Sequence, residues 1–120
     1  MAKILIVDDD LVSLLYMEQI LKTLGHTIVD KIKSGPEGVK RANELNPDIV
    51  FMDISMPGEY DGIEAARIIE NEFNIPVVFI TAFEIDQFLN IGISNILTKP
   101  VKLKELKKAL SLAQSKQVAI

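Results

Sequence analysis

No cysteine occurs anywhere in the 120 residues, which excludes a disulfide framework, a thiolate metal site and a cysteine nucleophile. Carboxylates and the single histidine, His26, remain as candidate metal ligands. The absence is in keeping with a reducing compartment. Long apolar runs are also missing: none approaches the ~18 residues that a membrane span needs. The opening MAKILIVDDD has one lysine ahead of a short apolar run that ends in three acids, unlike a secretory signal. Basic residues are scarce and scattered. With 13 Lys+Arg against 17 Asp+Glu the formal net charge is −4, the pI is near 5.0, and no basic group exceeds Lys104, Lys107 and Lys108. Direct nucleic-acid binding is therefore disfavoured. These absences lead to the expectation of a soluble cytoplasmic protein with no membrane insertion.

What is present is ordinary globular composition, 48% hydrophobic and 25% charged. The length suits one domain, residues 1–120, able to bury about two-thirds of its unfolded surface. Neither internal repeats nor a Pro/Gly/Ser-rich linker divides it. Short apolar runs alternate with helix-period segments. The runs are Lys3 to Val7, Thr27 to Ile32, Ile49 to Met52, Val77 to Ile80 and Asn95 to Thr98. Three are apolar nearly throughout, as strands of a parallel sheet covered on both faces should be. Between them, Leu14, Met17, Leu21 and Leu24 follow helical spacing. So do Ile63, Ala66, Ile69 and Phe73, and then Leu103, Leu106, Leu110 and Ala113. Each set predicts the inner face of an amphipathic helix. Gly25, Pro36, Asn46-Pro47 and Gly62 supply the boundaries. The segment 84–91 makes the weakest helix. Five strands alternating with five helices predict a doubly wound α/β fold with right-handed crossovers, the last helix ending near Ser115 and leaving a short tail, 116–120.

In an open α/β sheet the site lies beyond the carboxyl ends of the strands. The residues there are Asp8, Asp9 and Asp10 after the first run, Asp53 after the third, Thr81 after the fourth and Lys99 after the fifth. Carboxylates this close repel unless a cation sits among them. An all-oxygen cluster suits Mg²⁺, which keeps several waters and takes few carboxylates directly. The pattern predicts a partly built Mg²⁺ site awaiting a phosphoryl group.

Val7-Asp8-Asp9-Asp10, Met52-Asp53-Ile54-Ser55-Met56-Pro57 with Asp61-Gly62, Ile80-Thr81-Ala82 and Thr98-Lys99-Pro100 stand in order along the chain. Together they resemble the receiver domain of two-component response regulators, over residues 3 to about 114. The resemblance implies a CheY-like, flavodoxin-like (βα)5 fold with strand order 2-1-3-4-5. It also implies a phosphoryl group accepted on Asp53 from the phosphohistidine of a sensor histidine kinase or histidine phosphotransfer protein, with output by contact with a downstream protein. By the same resemblance, Asp9 and Asp53 bind Mg²⁺ directly, or Mn²⁺ in its place. Asp8 acts mostly through water, and the Ser55 backbone carbonyl completes the protein ligands. Thr81 donates to one phosphoryl oxygen and Lys99 pairs with another. Such a chain turns over no independent substrate, modifying only itself. With only a short tail after the last helix, no effector domain is expected to follow.

There are departures from the family pattern. Gly62 follows Asp53 by nine positions, one more than in the commonest receivers. Lys99 follows Thr81 by 18, about one helical turn short of the family, so the fourth helix is expected to be shortened. Ile96 stands where many receivers carry a switching aromatic. Both changes fall on the fourth helix, fifth strand and fifth helix, so an altered output is expected there. Phe83 is expected to shield the phosphoryl group from water and slow its loss. The resemblance also suggests a cis Lys99-Pro100 bond.

Simpler roles compete for each residue. Asp8 to Asp10 can cap the first helix, and Asp10 is expected to do only that. Thr81 alone suits a strand-end hydroxyl, Lys99 alone a solvated charge before a turn proline, and Lys102 to Lys108 the wet face of the last helix. His26, beside Gly25, is expected to be exposed. Among other functions, Asp8-x-Asp10 superficially matches the haloacid-dehalogenase-like phosphohydrolases, whose larger cores and caps 120 residues cannot hold. An FMN carrier would need a Ser/Thr/Gly-rich phosphate loop where DDDLVS stands. A phosphate-independent, receiver-shaped adaptor would have no use for Asp9, Asp53, Thr81 and Lys99 together.

Overall fold

A computed structural model describes residues 1–54, 62–82 and 95–118. The helix expected over 84–91 and its shortening, together with Ser55 and Phe83, lie outside the described residues. Strand β1 (Lys3–Val7) is followed by α1 (Leu11–Thr23), β2 (Thr27–Ile32), α2 (Gly35–Leu45) and β3 (Ile49–Asp53). Then come α3 (Gly62–Phe73), β4 (Val77–Thr81), β5 (Ile96–Thr98) and α4 (Leu103–Val118). The five strands form one parallel sheet in the order β2-β1-β3-β4-β5, as expected. None of the described helices is long and apolar enough to cross a membrane.

Successive strand residues point to opposite faces, and the core divides accordingly. Ile4, Ile6, Phe51, Val78 and Ile80 pack on one face with Leu14, Met17 and Leu21 of α1 and Leu106, Leu110 and Ala113 of α4. Leu5, Val7, Val50, Met52 and Phe79 pack on the other with Ala42 of α2 and Ala65, Ala66 and Ile69 of α3. β1, β3 and β4 are covered on both sides, which explains why they are apolar nearly throughout.

Local chemistry sets the helix ends. Asp10 caps α1, its Oδ1 accepting from the Val12 amide at 3.2 Å and its Oδ2 from the Ser13 hydroxyl at 3.0 Å. Ser34 caps α2 ahead of Pro36, and Asn46 ends it at φ 48°. Gly25, at φ +94°, follows α1.

Three expectations need correction. Leu103 is 48% exposed. The buried face of α4 instead runs Leu106, Ala109, Leu110, Ala113, so burial begins one turn into the helix. The helix continues to Val118 rather than ending near Ser115, since no glycine or proline interrupts Lys116 to Val118. His26 is not an exposed residue. It is partly buried, and its Nδ1 accepts from the Ala2 amide at 3.0 Å.

Candidate functional site

Strand order builds the site. β1 and β3 are neighbours whose connections leave in opposite directions, which is where an open sheet forms its crevice. Val7 pairs with Met52, so the next residues, Asp8 and Asp53, stand level across the two strands. One strand further, Asp53 pairs with Ile80 and Thr81 follows. Beyond that, Thr81 pairs with Thr98, and Lys99 follows. Asp53 and Thr81 are the last residues of their strands rather than the first beyond them.

Asp8, Asp9 and Asp53 each present a carboxylate oxygen, and these lie within 4.8 Å of one another. Asp8 and Thr81 are fully buried, Asp53 is 4% exposed, and Asp9 is exposed. The Lys99 ammonium reaches in from the far side, 2.9 Å from Asp8 Oδ2 and 3.5 Å from Asp53 Oδ2. Burial, the strongest single influence on Lys99, favours its neutral form. The contact with Asp8 and the charges of Asp53 and Asp8 together outweigh it and hold the ammonium above the ordinary lysine range. Backbone bonds fix the frame: the Asp8 amide donates to Ile32 O at 2.9 Å, the Lys99 amide to Thr81 O at 2.8 Å and the Ile54 amide to Ile80 O at 3.0 Å.

The two oxygens of Asp8 are treated differently. Oδ1 accepts the Asp10 amide at 2.9 Å. Oδ2 is buried and ion-paired with the Lys99 ammonium at 2.9 Å. A buried carboxylate oxygen with one cationic partner among three clustered carboxylates keeps the capacity for a further positive charge. Facing two further carboxylates, it fits a hard, oxygen-seeking cation such as Mg²⁺.

Of the residues expected at the site, Asp8, Asp9, Asp53 and Lys99 come together, and Thr81 ends the strand beside them. Asp10 turns away to cap α1, and Ser55 lies outside the described residues. Ile96 is 9% exposed and packs on the α3 side of the sheet. The Lys99-Pro100 bond is cis. Two features were not legible beforehand. A Cβ added at Gly62 would collide with the Asp53 carbonyl oxygen and lie 3.0 Å from Ile54 Cα, so the start of α3 sits directly against the backbone of Asp53. The Tyr16 hydroxyl donates to Val101 O at 2.9 Å. Only the glycine after the Asp53 loop gave a sequence signal, as a helix start.

The geometry has relatives. A family model described as the response regulator receiver domain matches residues 4–111. The chain is 38% identical over 118 residues to the response regulator GacA of Pseudomonas syringae pv. syringae, covering 93% of this chain and 55% of GacA. It is 32% identical over 118 residues to the transcriptional regulatory protein PdtaR of Mycobacterium tuberculosis, covering 95% of this chain and 57% of that protein. The chain thus spans little more than half the length of these curated relatives. Among solved structures, the signal receiver domain of a modulated diguanylate cyclase from Desulfovibrio desulfuricans G20 superposes with a TM-score of 0.89 at 28% identity, covering 100% of this chain and 99% of that one. With the family model matched over most of its length and the carboxylates gathered at the β1/β3 crevice, this chain belongs to the receiver domains of response regulators.

Proposed function

We propose that Asp53 accepts a phosphoryl group from the phosphohistidine of a sensor histidine kinase or a histidine phosphotransfer protein. The observation that carries this reading is the convergence of Asp8, Asp9 and Asp53 with the Lys99 ammonium at one sheet edge. An Asp53 carboxylate oxygen forms the new bond to phosphorus while the bond from phosphorus to the donor imidazole nitrogen breaks. The electron pair leaves with the imidazole. Phosphoryl transfer needs little covalent help, so the surrounding groups act mainly by position and charge. Lys99 lies between Asp8 and Asp53, where it meets the charge spreading onto a phosphoryl oxygen. Thr81, at the end of β4, offers a hydroxyl to another. Asp8, Asp9 and Asp53, with the Ser55 carbonyl, are the groups that would hold Mg²⁺ or Mn²⁺. When bound, the ion supplies neutralisation of phosphoryl oxygen charge.

The chain, read as a single receiver domain, signals by protein contact and turns over no independent substrate. Leu11, Val12 and Leu15 of α1 are 55%, 74% and 50% exposed and give a protein partner an apolar surface beside the carboxylates. The phosphohydrolase reading loses its second acid, because Asp10 is engaged in capping α1.

The test is intact mass after incubation with Mg²⁺ and acetyl phosphate, for wild type, Asp53→Asn and Asp8→Asn. One phosphoryl adduct that requires Mg²⁺ and is lost in Asp53→Asn is the expected result. An adduct that persists in Asp53→Asn and is lost only in Asp8→Asn would transfer the nucleophile's role to Asp8.

A further inference from the structure

Tyr16 belongs to no motif of the site, yet it ties α1 to the segment carrying Lys99. Its hydroxyl donates to the carbonyl of Val101, 85 residues away in sequence, at 2.9 Å. That carbonyl needs a donor from outside. In α4 the Leu106 amide bonds to Lys102 O, so the helix ladder begins one residue after Val101. Pro100, between Lys99 and Val101, has no N–H with which to tie the turn elsewhere. The turn from Lys99 to Val101 is therefore held at three points: the Lys99 amide on Thr81 O at 2.8 Å, the Val101 side chain buried at 3% exposure, and the Tyr16 hydroxyl. The first two fix the strand side and the core side. The third is the hydrogen bond, among the described residues, that ties the turn to α1, the helix that begins directly after the acidic residues, and it adds direction to the packing of Val101 in the cluster that holds Leu14 and Met17. Tyr16, Lys99, Pro100 and Val101 line the same groove of about 360 Å³, which Asp10 and Val12 also line.

We propose that Tyr16 is a positioning residue for phosphoryl transfer. By holding the Val101 carbonyl, it keeps the Lys99 ammonium between Asp8 and Asp53. The inference rests on the phosphoacceptor reading above and adds to it a residue that touches neither donor nor acceptor. Displacing a charge-neutralising group by a fraction of an ångström is enough to slow a reaction that depends on position.

Tyr16→Phe keeps the ring over the groove and removes only the hydroxyl. With acetyl phosphate as donor, no partner protein contacts α1, so docking effects are absent. At saturating donor and Mg²⁺, the rate of adduct formation is expected to fall about fivefold, the effect of one hydrogen bond, with little change in apparent donor affinity. In a Lys99→Ala background, the same substitution is expected to have no further effect, because Tyr16 acts through Lys99. The side-chain ammonium NMR signal of Lys99 is expected to shift or broaden in Tyr16→Phe without any phosphodonor. An unchanged rate in Tyr16→Phe, a full fivefold loss persisting without Lys99, or an unchanged Lys99 signal would each overturn the proposal. If wild type takes no phosphoryl group, the phosphoacceptor reading fails, and the Lys99 signal alone still decides whether Tyr16 positions the ammonium.

Discussion

Replacing Gly62 by alanine tests the most crowded contact beneath the acceptor. The added Cβ would meet backbone on every side: the Asp53 carbonyl oxygen in collision, the Asp53 carbonyl carbon at 2.9 Å and Ile54 Cα at 3.0 Å. None of these atoms belongs to a side chain able to rotate away. Relief requires moving either the first turn of α3, with the Gly62 amide bond to Ile54 O at 3.2 Å, or the end of β3 that carries Asp53. Overpacking a core costs about 1–3 kcal/mol, and a clash confined to backbone belongs at the upper end. Alanine's advantage over glycine inside a helix, about 1 kcal/mol, is small at a first helical position and offsets little of this. At about 2.1 cal/mol/K per residue of unfolding entropy, 3 kcal/mol lowers the melting temperature of a chain this size by about 12 °C. Gly38→Ala is the internal control. Its Cβ would meet the buried Val7 side chain, with the methyls at 2.9 and 3.2 Å, so that side chain must shift but no backbone need move, and it lies within α2, where the helix-propensity gain of about 1 kcal/mol applies. Its net cost is expected to be smaller than that of Gly62→Ala, at most about 2 kcal/mol. Thermal and urea unfolding of both variants measure the difference. Equal melting temperatures for Gly62→Ala and wild type would refute the placement of α3 against Asp53.

Leu106→Ala, at a fully buried position, is expected to cost about 2–5 kcal/mol in urea unfolding, whereas Leu103→Ala, at 48% exposure, stays within about 0.5 kcal/mol; the reverse order would restore Leu103 to the core. The His26 imidazole is held below its ordinary pKa, first by burial and then by the nearby N-terminal charge. The unfolded chain therefore binds the proton more readily, and the stabilisation is present above about pH 6.5 and lost as pH falls through the lower folded value. Denaturant unfolding from about pH 8 down to 5 is expected to show this slope in wild type and to lose that part of it in His26→Gln, which keeps an acceptor for the Ala2 amide; identical slopes would count against it. Asp10→Ala is expected to cost about 1 kcal/mol of stability through the lost cap while leaving the Asp53 adduct intact, and an adduct abolished by this change would revive a chemical role for Asp10.

How far the sequence could be read depended on whether a feature is local. β1, β3 and β4 announced themselves because both faces are covered, so apolar residues run unbroken through each. The start of α2 beside Pro36, the start of α3 at Gly62 and the end of α2 at Asn46 were legible from residues whose conformational preferences act within one turn. The convergence of Asp8, Asp53 and Lys99 was legible because strand ends in a parallel sheet all open on one edge. Leu103 was misread because periodicity marks a helix face but not the turn at which that face becomes buried, and here burial starts at Leu106. His26 was misread because its partner, Ala2, lies 24 residues away, and no local pattern records that pairing. Tyr16 is the extreme case: an aromatic on a half-exposed helix face reads as ordinary surface until Val101 is placed beside it.

The formal charges at the sheet edge bear on why phosphorylation would be conditional. Asp8, Asp9, Asp53 and Lys99, three carboxylates and one ammonium, leave an excess of two negative charges around largely buried oxygens. On the proposed reading, modification of Asp53 exchanges one carboxylate charge for a phosphoryl group carrying about −1.5 to −2. The excess then grows while Lys99 remains the one basic side chain among the described residues that is ion-paired there. A single ammonium already shared between Asp8 and Asp53, at 2.9 and 3.5 Å, cannot balance it. At an effective dielectric constant near 20, two unit charges no more than 4.8 Å apart repel by at least about 3.5 kcal/mol. That penalty would bear on the phosphorylated state itself as well as on the path to it. A divalent cation at the carboxylates would offset this repulsion in the folded, phosphorylated chain as well as on the path to it. Chelating Mg²⁺ after the adduct has formed should then destabilise the folded chain more when Asp53 is phosphorylated than when it is not. Equal losses of melting temperature in the two forms would show that the carboxylates tolerate the added charge without the metal.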